Sequence, residues 1–511
     1  MELIKGIPLQ TFTRSPYVKP NMGGPGGPEG EGPGGPGGPN GAPVEAQRSG
    51  FGGEKDEQGS ERGFQPEAGN EEERTLRGRD MPQERPTSAA LEIQNGRIVN
   101  QSDRLNGQIT AASAKDIVLD LNSPDMGGVY VSGEGSDFVL EHANIRISGE
   151  GQGLGGKLSG AAVEDHATLT LKDCRINMDG RLRCATSAGG NSVLKVYDSL
   201  LACHGAAWNI EEKEVTWVMG PGMSKPPVYL EIEGNMRTHC TVMDSESYFY
   251  NSTIIADSWA ALSTDAAGDR VYLEANDCKV ITTRSGYGTY ADTGCYVALN
   301  RCDLDVQNMA AIVAGESGVQ LNDCVGKCGS YVVMNHVVGG GPVADALLCQ
   351  VSDIAIRGGK FRCGDAAVVV KSNNADILLE GAEIFSHIGV LVKSRINDDP
   401  CAPDPQGKEV YGIHVTLRNL DTANSILHED PNRRMTVRFE ASRLIGAITG
   451  GALISLDEGS HWTATADSTV VFNGDVALSQ LDALPGVTIT ARGGEAKTAA
   501  LPSGGSLVVT A

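Results

Sequence analysis

From Ala90 onward the chain alternates apolar and polar residues in short runs. Val139-Leu140-Glu141-His142-Ala143-Asn144 and Leu169-Thr170-Leu171-Lys172-Asp173-Cys174 are examples, each bounded by Gly, Asp, Asn or Ser. A period of two predicts strands with one buried face, and the bounding residues predict turns. The unit recurs: Asn251-Ser252-Thr253, Asn276-Asp277-Cys278, Asn300-Arg301-Cys302 and Asn322-Asp323-Cys324 follow at steps of 25, 24 and 22 residues. Repetition at this period predicts an all-β chain, a right-handed parallel β-helix with coils of about 22–26 residues.

In such a solenoid equivalent residues stack at about 4.8 Å, so Asn251, Asn276, Asn300 and Asn322 are expected to form a ladder at a turn. Cys278, Cys302 and Cys324 then stack inward beside it, and Cys174 and Ser199 fit the same register in earlier coils. Insertions rich in Pro, Gly and Asp break the period near 205–229, 337–349 and 396–411; insertions of this kind wall a groove on one side of a solenoid.

The first 89 residues read differently. Gly-Gly-Pro repeats begin at Gly23 and pass into a Glu-, Arg-, Gln- and Gly-rich run with few large apolar residues. Such a chain cannot offset its ordering entropy by burial, which predicts a disordered linker over 21–89. Four Gly-X-Y triplets, Gly32 to Pro43, are too short for a triple helix and read as extended polyproline-like chain. Residues 1–20, with an apolar stretch from Leu3 to Leu9, are read as a segment that folds back as a cap. The β-helix domain is assigned to 90–511.

Composition narrows the partners. A formal charge of -23 and the lack of a basic stripe disfavour nucleic acid and anionic lipid. The start, Met-Glu-Leu-Ile-Lys-Gly, lacks a secretory signal, and no apolar run reaches membrane-spanning length, so a cytoplasmic location is expected. The twelve cysteines are then expected to be free thiols buried as small apolar groups. Cys324 and Cys328 offer half a tetrahedral set, so no metal site is assigned.

With its alternating strands and Asn/Cys repeat, the chain resembles the pectate-lyase-like right-handed β-helix superfamily over roughly residues 90–511. The resemblance implies the fold. The paired-Asp and Gly-His-Gly signatures of the polygalacturonase branch are not found, nor is the acidic Ca²⁺ cluster with a partnering Arg of the pectate lyase branch. A Gly-x-Ser-x-Gly elbow, a phosphate loop and a His-Glu-x-x-His motif are also missing.

Candidate chemistry comes from aligning the coils. One strand ends in an ionisable residue in successive coils, which places Asp265, Asp292, Glu316, His336, Lys371 and Lys393 along one edge. Stacked carboxylates raise one another's pKa and a neighbouring cation lowers it, the usual way of separating acid from base; a solvated turn is the alternative. Trp259, Arg284, Tyr287 and Tyr290 crowd two adjacent coils in a chain with only 5% aromatics. Counted from the ladder Asn, Trp259 neighbours Arg284, and Asp265 shares a position with Tyr290 and His336. The alternative for Trp259, Tyr287 and Tyr290 is a packing role. His204 with Trp208, His239 beside Cys240, and Ser460-His461-Trp462 read as structural.

The functional expectation is an enzyme that binds a sugar or other ring-bearing polar molecule on the β-helix flank and moves protons without an organic cofactor, as a lyase or isomerase ahead of a hydrolase. Tyr290, Asp292 and His336 take the acid–base roles, and Arg284 holds a carboxylate or developing oxyanion. Trp259 and Tyr287 stack the ring, and Asp265, Glu316, Lys371 and Lys393 complete the binding surface. On this assignment Tyr290→Phe and His336→Ala abolish turnover and leave folding intact. The other class is a non-catalytic β-helix scaffold or binding protein. A homo-oligomer is compatible with either, and sedimentation decides it.

Overall fold

A computed structural model of the protein describes residues 2–14, 86–151, 153–205, 226, 228–265, 270–337, 347–396 and 405–511. The linker read at 21–89 lies outside the described residues except for its last four, and Ser88 and Ala89 already belong to the strand Ser88–Gln94. The Gly-X-Y triplets, Trp208 and much of each insertion also lie outside them.

One coil consists of the strands Val271–Asn276, Lys279–Thr282 and Tyr287–Ala291. Each pairs in parallel with its counterpart a turn later: Cys295–Asn300, Asp303–Val306 and Met309–Ala314. Repetition builds three sheets. Sheet I, of thirteen described strands, holds Tyr287–Ala291; sheet II holds Val271–Asn276; sheet III, of ten, holds Lys279–Thr282 and is continued by a four-stranded sheet. The architecture is a parallel β-helix.

Alternation decides what each strand buries. In Val271–Asn276 the side chains of Val271, Leu273 and Ala275 are buried while Tyr272, Glu274 and Asn276 are half-buried. Inward residues from all three sheets merge into one apolar core running from Ile4 to Val509. Each fully buried Leu or Val contributes roughly 1.5–3 kcal/mol.

The turn between sheets II and III carries the amide ladder. Asn300 Nδ2 donates to Asn276 Oδ1 at 3.0 Å, and Asn322 Nδ2 donates to Asn300 Oδ1 at 2.8 Å. The next residue is left-handed in coil after coil: Asp277 (φ 55°), Arg301 (53°), Asp323 (52°), Gly358 (60°) and Gly381 (59°). That conformation costs a residue with a Cβ about 1–2 kcal/mol and favours Gly, Asn and Asp. One step further the chain points inward. Cys174 N–H donates to Ser199 Oγ (3.0 Å), Ser199 N–H to Ser252 Oγ (3.1 Å) and Ser252 N–H to Cys278 Sγ (3.5 Å). Cys302 and Cys324, buried like Cys278, follow in the next two coils.

One register differs from the sequence reading. Asn251 has φ 46° and occupies the left-handed position, while Tyr250 pairs with Asn276. The ladder is therefore headed by Tyr250, stacked on Tyr197 at 4.9 Å between centroids. Asn251 instead donates to Asp198 at 2.6 Å.

Residues 2–14 lie against the solenoid. Leu3–Ile4 pairs antiparallel with Val476–Ala477, Ile7 bridges Asn473, and Gln10 N–H donates to the Asn473 side chain at 2.7 Å. The segment then crosses the outer side of sheet II, with Phe12 5.2 Å from the His414 ring and Arg14 on Asp353. Among the described residues no helix is long and apolar enough to cross a membrane.

Asn300 sits in the middle of the ladder and both of its amide ends are used. Asn300→Ala is expected to lower stability by about 1–2 kcal/mol, read as a shifted urea midpoint at unchanged slope.

Candidate functional site

Most of the sequence candidates fall on the outer side of sheet I. Register places Ser263, Tyr290, Ile312, Met334, Val369 and Lys393 in one column. The strand-end column beside it holds Ala314, His336, Lys371 and Arg395. The edge read as Asp265, Asp292, Glu316, His336, Lys371 and Lys393 is thus corrected at two points. Glu316 lies beyond the strand, where Ala314 takes its place. Lys393 lies two residues short, where Arg395 takes its place.

This face is closed. Trp259, Tyr287 and Tyr290 pack with Met309, Ile312, Met334 and Val369 into a second apolar cluster, and Leu230 and Ile232 from the 205–236 insertion belong to it. Glu231 fastens that insertion. Lys371 Nζ donates to Glu231 Oε1 (3.0 Å) and to the Tyr229 carbonyl (2.7 Å), Tyr331 donates to Oε2 (3.2 Å), and Arg395 also donates to Oε1. Burial pushes the Glu231 carboxyl up, but Lys371 and Arg395 outweigh it and hold it below the usual carboxylate range.

His336 is fully buried, its Nδ1–H donating to the Val337 carbonyl at 3.1 Å and its Nε2 without a partner. The rings of Tyr229 and Tyr290 stand 5.5 and 6.4 Å away. Burial first, then Lys371, pushes its pKa down to about 3. The Asp292 carboxylate accepts from Thr293 N–H at 2.8 Å. Asp265 is paired with Arg237, whose guanidinium lies 4.6 Å from the Trp259 ring, and Tyr287 shares a hydrogen bond with Ser263 at 3.0 Å.

Three candidates stand apart. Arg284 does not adjoin Trp259: it pairs with Asp257 at 2.7 Å, while the strand opposite Trp259 begins at Gly286 and Tyr287. The cause is the shifted ladder register together with the longer Thr283–Gly286 turn. Glu316 sits at the corner between sheets I and II, accepting from Val351 N–H (2.8 Å) and from Arg14. Lys393 pairs with Glu429 at 3.2 Å. His239 is a core residue, its ring nitrogens on Thr186 (2.9 Å) and Thr241 (2.7 Å), and burial takes its pKa to about 3. Ser460 donates to Asp457 at 2.6 Å in a turn, and Trp462 is buried.

An open groove of about 550 Å³ lies on the outer face of sheet II. Tyr272, Tyr296, Gly318, Asp353, Asp376 and His414 form a single column of its lining, one residue per coil. Gly318 leaves a dip, since a Cβ there would stand 2.9 Å from the Tyr296 ring. Arg14 donates from one nitrogen to both oxygens of Asp353 (3.0 and 3.1 Å), with the same nitrogen 3.9 Å from Asp376 Oδ2. Tyr411 donates to Asp376 Oδ1 at 3.0 Å. His414 is neutral in this setting, Nε2–H donating to the Tyr411 carbonyl (3.1 Å) and Nδ1 accepting from Thr436 (2.7 Å).

Burial raises the Asp376 carboxyl above its ordinary range, with Tyr411 and His414 only partly offsetting it; burial likewise pushes Tyr411 to about 12 and His414 down. Two carboxylates on consecutive rungs, one of them with its proton affinity raised by burial, are equipped to give and take protons. None of these residues was singled out from sequence. A signal existed: each stands four residues before its ladder position, at Asn276, Asn300, Asn322, Arg357, Glu380 and Arg418. The insertions at 337–349 and 396–411 hid it.

The class these features define is a parallel β-helix with an open, acid- and tyrosine-lined flank. No family model matches the chain, and no curated protein matches it. Among solved structures, the tailspike protein gp49 from Pseudomonas phage LKA1 is similar over 70% of this chain, at 10% identity and a TM-score of 0.32. The match covers 51% of that protein, so this chain spans about half its length.

Two outcomes follow from the closed face. Glu231→Gln leaves the buried Lys371 without its carboxylate and is expected to lower stability by about 2 kcal/mol, less than for a fully buried pair because Glu231 is partly exposed. The second concerns pH. His239 and His336 stay neutral in the folded chain down to about 3, whereas the unfolded chain protonates them from about 6.5. Stability is therefore lost progressively as pH falls from 6.5 toward 3, by about 2 kcal/mol per histidine at pH 5. Melting curves of His336→Gln between pH 7.5 and 5 should show that much less loss.

Proposed function

We propose that the protein binds a polysaccharide or another ring-bearing polar molecule in the groove on sheet II and acts on it by acid–base chemistry without an organic cofactor. One observation carries the reading: Asp353, Asp376 and His414 stand on consecutive rungs of an open face, in line with Tyr272 and Tyr296. Tyr296 is 44% exposed and offers a flat apolar platform with a polar edge, the surface that a sugar ring stacks on. Gln320, Thr416, Arg357 and Arg418 line the same groove and supply hydrogen bonds to hydroxyls. Asp376, whose proton affinity burial raises, gives a proton to a leaving oxygen. Asp353, one rung away, accepts a proton from carbon, giving elimination. The second reading is a non-catalytic binding protein using the same groove, favoured by the contact Arg14 already makes with Asp353.

The test is a glycan array of neutral, uronate and amino-sugar polysaccharides, followed by product analysis on the polysaccharide that binds. Tyr296→Ala is expected to weaken binding roughly tenfold. Asp376→Asn should keep binding and lower turnover by about 10²–10⁴. Unchanged binding by the Tyr296 variant removes the groove as the site. Binding with no product from the unaltered chain leaves the binding-protein reading.

A further inference from the structure

Two residues that line the groove, Asp353 and His414, are touched by a distant part of the chain. Arg14 stands at the end of the segment 2–14, more than 300 positions from the carboxylates it touches. Its guanidinium divides itself among three groups: one nitrogen on both oxygens of Asp353, the other on Glu316 and, at 2.9 Å, on the Val351 carbonyl. Every contact has a fixed counterpart on the solenoid. Glu316 is held from behind by Val351 N–H, and Phe12, two residues earlier, is clamped between the His414 ring and the Arg434 guanidinium, 4.2 Å from the latter. Further back, Lys5 pairs with Asp475 at 2.6 Å and Leu3–Ile4 extends a sheet edge. A side chain with this many anchored neighbours is placed, since a planar fork loses little freedom per bond formed.

The contact is unequal. Arg14 takes Asp353 with two hydrogen bonds but stays 3.9 Å from Asp376, which is left to Tyr411. We propose that the segment 2–14 completes the groove, and that Arg14 is a positioning residue that engages Asp353 and lowers the proton affinity of Asp376 beside it. This rests on the acid–base reading of the groove for its purpose, but not for its test. The charged and titratable groups facing the pair are Arg14, Glu316, Tyr296, Tyr411 and His414, with Arg434 behind His414. Arg14 supplies the nearest positive charge, so removing it should move Asp376 to a higher titration midpoint.

The experiment follows the ¹³C-labelled Asp376 carboxyl of the full chain by NMR titration, with Asp376→Asn giving the assignment. Arg14→Ala is expected to raise the midpoint by about half a unit or more, Arg14→Lys to raise it less, and methylguanidinium added to Arg14→Ala to bring it back. Lys5→Ala, which loosens the segment away from the groove, should leave the midpoint in place. A midpoint unmoved in Arg14→Ala overturns the proposal. So does an upward shift that methylguanidinium fails to reverse in a variant with unaltered melting, because a merely structural role predicts that result. The unliganded protein is measured throughout, so absence of glycan binding would refute the functional reading without touching this one.

Discussion

Vertical superposition of rungs is the constraint on which everything else depends. It is enforced at the turn between sheets II and III, where an amide ladder, a left-handed residue and an inward Ser or Cys recur in order. None of the three is strong alone: an amide pair contributes about 1 kcal/mol, and a left-handed Asp costs about as much. Their effect lies in register. With side-chain period two, a slip of one residue in any coil would turn its buried row outward, so small local preferences are multiplied by the whole apolar face of that coil.

Register explains why the two outer faces differ. On sheet I the outward columns carry Ile312, Met334 and Val369, and apolar surface of that extent requires cover. The insertion that reaches Glu231 provides it, and the cations of the strand-end column become the fasteners of that cover. Tyr290 and Trp259 belong to a second core, and His336 lies beside Tyr290 in the neighbouring column, not in the shared position with Asp265 and Tyr290 that their spacing suggested. On sheet II the equivalent columns are filled with Tyr, Asp, Gln, Thr and His, which tolerate water, so that face stays open.

How far the sequence could be read follows the same line. The coils from 251 to 324 have nearly constant length, and there the strands, the ladder and the inward cysteines were legible. A single displaced residue at Tyr250 and a longer turn at Arg284 are enough to misplace neighbours across one rung, because a count that starts from Asn251 begins one residue past the ladder. Asp353, Asp376 and His414 are harder. Asp353 and His414 each follow an insertion and Asp376 stands on the coil between them, so their rungs are known only once strand pairing is seen. Arg14 left no signal, since nothing in a linear pattern ties it to residues some three hundred positions away.

A solenoid has an inherent difficulty in building a site: each coil contributes one residue per column, all columns run straight, and identical neighbours are spaced at about 4.8 Å. Stacked acids in such a column are alike in position and repel one another. Differentiating them needs contacts from outside the repeat. Here those contacts come from two non-repetitive pieces, Tyr411 at the end of an insertion and Arg14 on the N-terminal segment, each favouring a different carboxylate. Irregular chain therefore breaks the column's symmetry, while the regular coils fix the separation between its two carboxylates.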